Sequence, residues 1–262
     1  MTLSSGPWGS FTTEDFERID PDRTVALLPV GAVEQHGPHL PLATDALIAE
    51  GIVGRTLGLL PDNVTVLVLP TQAIGESLEH MDFAGTLSHQ AETLIGSWVE
   101  IGASVDGAGV GKLMIFNAHG GQPQIVDIVA KRLRAELGML VGRANYFAFD
   151  MPEGVIDADE LAYGIHGGDL ETSMMLHLHP DLVRRDRLAD FPSELRELAK
   201  TKRRMGQNGR SGIAWLAQDL NPEGVMGNAA AASADKGRRL VDHFAQELAL
   251  RLADLADHSI SD

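Results

Sequence analysis

Apolar residues run without alternation through residues 24–30 (TVALLPV), 64–69 (VTVLVL) and 112–116 (KLMIF). Short unbroken runs of this kind describe strands buried on both faces, as in a parallel sheet covered by helices. Residues 139–149 form a fourth, less sharply patterned strand candidate. Between the runs, apolar positions fall at helical spacing. Leu47, Ile48, Ile52 and Val53 mark a helix over 45–59 with Thr44 as its N-cap, and Ile125, Ile128, Val129 and Leu133 mark one over 122–137. Further helices are expected over 90–105, 169–178 and 234–257, and a short acidic-capped one over 11–20.

Strands alternating with helices specify an α/β fold, with a mostly parallel sheet carrying helices on both faces. The chain shows no internal repeat and no Pro/Gly/Ser linker, so residues 1–262 read as a single domain. Two stretches lack periodicity. Residues 71–88 form a long segment of small and polar residues, the kind of irregular insertion that tends to be functional. Residues 184–210 are charged and mixed, and are expected to be exposed or mobile.

Composition narrows the function. Hydrophobic residues make up 44% and charged residues 22%, as in ordinary globular proteins. The formal net charge of −16 argues against a nucleic-acid partner, which needs a basic footprint, and favours a pocket that attracts cations. With no cysteine, thiolate catalysis and Cys-type zinc sites are excluded. No apolar run approaches the ~20 residues that span a bilayer, and no secretory signal is visible, so no membrane partner and a cytoplasmic location are expected.

The chemistry concentrates where the first strand ends. In the stretch LLPVGAVEQHGPHLPLATD, residues Glu34, His36, His39 and Asp45 crowd one loop beside Gly37, Pro38 and Pro41. Carboxylate and imidazole together suit zinc, manganese, iron or cobalt. Glu34 and His36, two apart on an extended loop, point the same way, and Asp45 at the next helix start can turn back over the same point. A carboxylate there can bind one ion, or bridge two at ~3.5–4 Å as two-metal hydrolases require. His119 follows the third strand, at the same carboxyl edge of the sheet where α/β proteins bind ligands. Glu171 lies in the first turn of the helix over 169–178, either as a ligand or as a capping carboxylate. His166, before Gly167 and Gly168, has room to move as a general acid or base. The Gly-rich 107–112 precedes its strand and matches neither a dinucleotide nor a phosphate loop. His177 and His179 near a helix end, and the surface residues His89, His243 and His258, need no function.

The motifs Glu34-Gln-His36-Gly-Pro-His39, Asn117-Ala-His119-Gly-Gly and His166-Gly-Gly-Asp-Leu-Glu171-Thr-Ser together resemble the creatininase family of metal-dependent amidohydrolases. The similarity extends to Glu79-His80 within 75–88, and to 224–228 and 234–237. It implies a three-layer α/β/α fold with two divalent ions (Zn, Mn or Fe) per chain, and assembly as a homo-oligomer, often a hexamer. By this resemblance Glu34, His36 and His119 are ligands and Asp45 is the bridging carboxylate. His166 matches the catalytic or substrate-contacting histidine, and Ser77 resembles a serine near the substrate. His39 is left a structural role, supporting the ligands without binding metal itself. Creatininase proper has an aromatic residue and a ligating Glu after the third-strand histidine, where this chain has Gly120 and Gly121. The resemblance therefore moves that ligand to Glu171. It also implies hydrolysis of a C–N amide bond in a small molecule such as a cyclic amide or formamide, with a precursor-peptide peptidase of the same family as the alternative. The rivals outside that class are a non-catalytic small-molecule-binding α/β domain, and a single-metal isomerase or lactonase.

Overall fold

The computed structural model describes residues 3–201 and 212–259. Its main sheet has five strands: β1 (Gly6–Pro7), β2 (Thr24–Val30), β3 (Thr65–Val68), β4 (Lys112–Asn117) and β5 (Leu140–Asn145). They lie in the order β1-β3-β2-β4-β5, every neighbouring pair parallel. All seven residues of β2 are buried, which is why its sequence shows no polar alternation.

Alternate residues of the strands feed two separate cores. Val25, Leu27, Val66, Met114 and Phe116 face one side. There they meet α1 (Thr44–Leu57), α5 (Asp169–Leu178) and α8 (Ala234–Asp257). Ala26, Leu28, Val30, Leu67, Leu113 and Ile115 face the other. That side is covered by α2 (Ala91–Gly107) and α3 (Pro123–Leu137). The result is the three-layer α/β/α arrangement, and it is set by the pleat: period 2 in each strand delivers one apolar row to each helical layer.

Element boundaries differ from expectation in instructive ways. Residues 11–20 hold only a 3-10 helix, Thr13–Arg18, opened by a capping box between Thr12 and Asp15. Thr44 is the first helical residue of α1 and not its N-cap, which is Ala43; its hydroxyl instead donates to the Pro41 carbonyl at 2.7 Å. The candidate strand over 139–149 ends at Asn145, and a 3-10 turn over Tyr146–Ala148 follows.

The stretch expected to be exposed or mobile is partly built into the structure. It contains β6 (Asp190–Phe191), which pairs antiparallel with β7 (Gly227–Asn228). Phe191 is buried and stacks on His39 at 5.3 Å. After a short helix, Leu195–Thr201, the remainder from 202 to 210 lies outside the described residues. A further short helix, Ala158–Tyr163, places the buried carboxylate of Glu160 as an acceptor for Asp169 N–H at 2.7 Å and Asn228 N–H at 2.9 Å. Glu160 thereby ties the start of α5 to β7. No described helix is long and apolar enough to cross a membrane.

Candidate metal centre

Two neighbouring strands, β2 and β4, end side by side, with Val30 in register with Asn117. Their continuations form the floor of the site. After β2 the chain turns through Gly31, where any Cβ would press into the Ala46 backbone nitrogen at 2.8 Å. The missing side chain lets the start of α1 back onto the strand end and brings Asp45 over the loop that carries Glu34 and His36. The loop is closed by a hydrogen bond from Glu34 N–H to the Leu42 carbonyl at 2.8 Å. After β4, Asn117 braces its own turn, accepting from His119 N–H at 3.0 Å and donating to the His119 carbonyl at 2.8 Å.

The five residues expected as ligands converge. Asp45 Oδ1 lies 3.2 Å from His36 Nε2, and Asp45 Oδ2 lies 3.1 Å from His119 Nδ1. Glu34 Oε1 is 3.4 Å from His119 Nδ1, and Glu171 Oε2 is 3.8 Å from His36 Nε2. Three overlapping groups have ligand atoms mutually within 4.8 Å: Glu34–Asp45–His119, His36–Asp45–Glu171 and Glu34–His36–His166. Asp45 is shared by the first two, one carboxylate oxygen turned toward each histidine.

Two carboxylate oxygens here, Glu34 Oε2 and Asp45 Oδ2, are buried without a hydrogen-bond partner. The short approach of Asp45 Oδ2 to His119 is off the line of a hydrogen bond. Leaving anionic oxygens orphaned in a protein interior is costly unless a cation meets them. The set of hard oxygens and imidazole nitrogens therefore fits divalent metal.

The histidine nitrogens that do not face the cluster are held by backbone carbonyls. His36 Nδ1 donates to the Glu34 carbonyl at 3.1 Å, and His119 Nε2 to the Glu76 carbonyl at 2.7 Å. Partners of this kind fix ring orientation and leave the other nitrogen bare to coordinate. Glu171 accepts from Gly167 N–H at 2.7 Å and from the Tyr146 hydroxyl at 3.3 Å, so it both braces the α5 entry and faces His36.

Charge in the cluster is strongly redistributed. Burial opposes ionisation of Glu34, but His119, His80 and His166 hold its carboxyl well below the usual range. Burial likewise opposes charge on His36, yet Asp45 raises it to about 9; His119 is raised further by Glu34 and Asp45. Burial pushes Glu171 up to about 7.

His166 does not have the freedom its glycine neighbours suggested. It is buried, with its ring 4.2 Å from that of His36 and 4.3 Å from that of His80. Its Nε2 donates to the Gln35 carbonyl at 2.7 Å and its Nδ1 looks toward Glu34 Oε1 at 3.7 Å. The cause is the bridge between His166 and Met226, which pins both backbones. Burial, then the neighbouring His36 and His80, drives His166 well below its ordinary pKa, so the ring is neutral.

His39 stands apart from the ligand groups, its Nε2 donating to the Gly167 carbonyl at 2.9 Å. Ser77 is fully buried and its hydroxyl has no partner. Sequence reasoning gave no role to His80, which lies 3.4 Å from Glu34 Oε1 at the end of a 3-10 turn. Nor did it single out Tyr146, Gln35 or Glu79. The Glu79 carboxylate occupies the space a side chain at Gly121 would fill, and burial lifts it to about 7. For His80 the only signal was its place in the Glu79-His80 motif.

Fold and site thus define a three-layer α/β/α scaffold with a carboxylate–imidazole cluster fit for metal at the carboxyl edge of its sheet. The family model for creatininase, creatinine amidohydrolase, matches residues 9–252, and the chain belongs to that family of hydrolases. It is 35% identical over 234 residues to the mycofactocin precursor peptide peptidase of Mycobacterium ulcerans, covering 87% of this chain and 84% of that protein. It is 30% identical over 203 residues to the creatinine amidohydrolase of Pseudomonas putida, covering 70% and 76%. Among solved structures, a mutant creatininase of Zn-Zn type superposes with a TM-score of 0.77 at 26% identity, covering 96% of this chain and 98% of that one.

Proposed function

We propose that the chain is a dinuclear metal-dependent hydrolase that cleaves a C–N amide bond. The observation that carries this reading is the division of Asp45 between two ligand groups, one with Glu34 and His119 and one with His36 and Glu171. In it, Glu34, His36, Asp45, His119 and Glu171 hold the ions. A pair of divalent ions of the Zn, Mn or Fe type would supply Lewis acidity at a carbonyl and a nucleophile from water at neutral pH.

The protein's own groups supply positioning and proton transfer. His166, neutral and with its Nε2 proton held by the Gln35 carbonyl, has Nδ1 as its free acceptor. It takes the proton of the attacking water at Nδ1 and returns it to the departing nitrogen, acting first as base and then as acid. Such transfers typically contribute about 10²–10⁴ in rate. The unpartnered Ser77 hydroxyl is available to hold a polar group of the substrate.

A peptide amide is the substrate favoured here over a small cyclic amide or formamide. The relative at 35% identity is a peptidase of a precursor peptide. Leu78 and Met81, on the turn that carries His80, are about half exposed and suit apolar side chains of a peptide. Nothing lies within 4 Å of the direction a Gly120 side chain would take, leaving that edge open to a longer substrate. The small-amide reading is kept because of the resemblance to creatinine amidohydrolase. The test is metal analysis of the purified protein, then a chelator-sensitive screen of short peptides, cyclic amides and formamides. A metal-free preparation that hydrolyses as fast as the loaded one overturns the proposal.

A further inference from the structure

Of the four histidine rings packed around Glu34, taken in their neutral forms, His80 is the one whose proton faces inward. Its tautomer is dictated by Gln35. The Gln35 amide oxygen accepts from Gly37 N–H at 3.0 Å, and the amide nitrogen donates to the Gly224 carbonyl. Those two backbone contacts settle which end of the amide is which, a choice that otherwise rests on the network around it. The same amide nitrogen lies 2.8 Å from His80 Nδ1, so Nδ1 must accept. In a neutral imidazole the proton then sits on Nε2, the nitrogen 3.4 Å from Glu34 Oε1. In their neutral forms, the ones that can coordinate, His36, His119 and His166 have the reverse arrangement, each spending its proton on a backbone carbonyl and turning a bare nitrogen inward.

The geometry points to His80 as a positioning residue and not a ligand: its Nε2–H faces Glu34 Oε1 at 3.4 Å and steadies that carboxylate where it would meet metal. The assignment rests on the metal-site reading above. Glu34 Oε1 is approached by His80 Nε2 at 3.4 Å, His119 Nδ1 at 3.4 Å and His166 Nδ1 at 3.7 Å, and once His119 is bare to coordinate, the proton facing that oxygen is the one on His80. Glu34 Oε2 is buried and has no partner. A proton donor placed behind a coordinating carboxylate is a common way for an outer group to orient it. The Gln35 clamp depends in turn on Gly224, whose φ of +77° favours glycine and whose added Cβ would meet Gln35 Oε1 at 2.6 Å and Phe83 Cζ at 2.7 Å.

The experiment separates orienting from ligating by varying which nitrogen is kept. His80→Phe keeps the ring face against His166 and removes both nitrogens. His80→Asn keeps an acceptor for Gln35 but has no group at Nε2. His80→Gln places a donor near Nε2. Titrating each metal-free protein with Zn²⁺ alone, followed by calorimetry, is expected to show one class of ion weakened about 10–100-fold in the Phe and Asn variants, with the other class unchanged and the loss largely reversed in the Gln variant. Nitrogen-15 NMR of the zinc-loaded wild type is expected to show His80 protonated at Nε2 and bare at Nδ1. Unchanged zinc binding in all three variants, a Gln variant as weak as Phe, or a proton on Nδ1 would each overturn the assignment. Neither readout uses turnover, so a wild-type chain that binds zinc but hydrolyses nothing would sink the hydrolase reading and leave this one measurable.

Discussion

Asp45 Oδ2 lies 3.1 Å from His119 Nδ1, joining the first turn of α1 to the end of β4 across the carboxyl edge of the sheet. The other oxygen of the same carboxylate faces His36 at 3.2 Å. One side chain thus serves two ligand groups. Asp45→Ala is expected to reduce bound metal from two ions per chain to none at stoichiometric loading, and to lower hydrolysis to background. Elemental analysis beside an amide-cleavage assay checks this. Full activity in a metal-free Asp45→Ala protein would refute the site.

Glu171 offers a narrower lesion. It belongs to the His36 group alone, and its replacement by Gln keeps an oxygen that can accept from Gly167 N–H. Glu171→Gln should therefore keep the fold and the Glu34–Asp45–His119 ion while losing the other. Metal counting that gives close to one ion per chain, with an unaltered thermal midpoint for the metal-free protein, is the expected result.

Proton linkage predicts how uptake depends on pH. In the metal-free chain His36 keeps its proton up to about 9, and His119 is also raised. A coordinating imidazole must be bare, so uptake near neutrality releases protons and apparent affinity strengthens as pH rises toward 9. Stability has the opposite sign. The stabilisation from protonated His36 is complete below its ordinary 6.5 and lost as pH rises to about 9. The metal-free protein should thus become less heat-stable across that window, and the loaded protein should not. Calorimetry in two buffers of different ionisation heat measures the released protons.

Gly237 marks where α8 crosses α5. A Cβ there would strike the Ser173 carbonyl, and backbone cannot yield as a side chain can. Gly237→Ala is expected to cost about 1–3 kcal/mol or more of stability by overpacking. Urea unfolding of the variant would expose the error if stability rose, as it would on helix propensity alone.

Substrate choice is open to a direct comparison. The loaded enzyme is expected to cleave short peptides with apolar residues beside the scissile bond faster than creatinine or formamides. Equal or greater turnover of creatinine would return the small-amide reading to first place.

Much of the scaffold was legible because it follows from short-range pattern. Residues 24–30 had no polar alternate, and they became a strand buried on both faces. Residues 169–178 and 234–257 matched the observed helices end to end. Glu34, His36, Asp45 and His119 stood out because carboxylates and imidazoles at strand ends are poor turn-formers. Short elements were missed: β1, β6 and β7 are two residues each, too brief to carry a period.

What the sequence alone determined, then, was the layered scaffold, the edge of the sheet that carries the site, and the ligand types gathered there. Only the tertiary structure decided which nitrogen of each histidine carries the proton. That depends on partners far along the chain: Gln35 is oriented by Gly224, and His119 by the carbonyl of Glu76. A tautomer is chosen by whatever the opposite nitrogen touches, and no spacing in a sequence encodes such a contact. The same limit hid His80 and took from His166 the freedom its glycines promised.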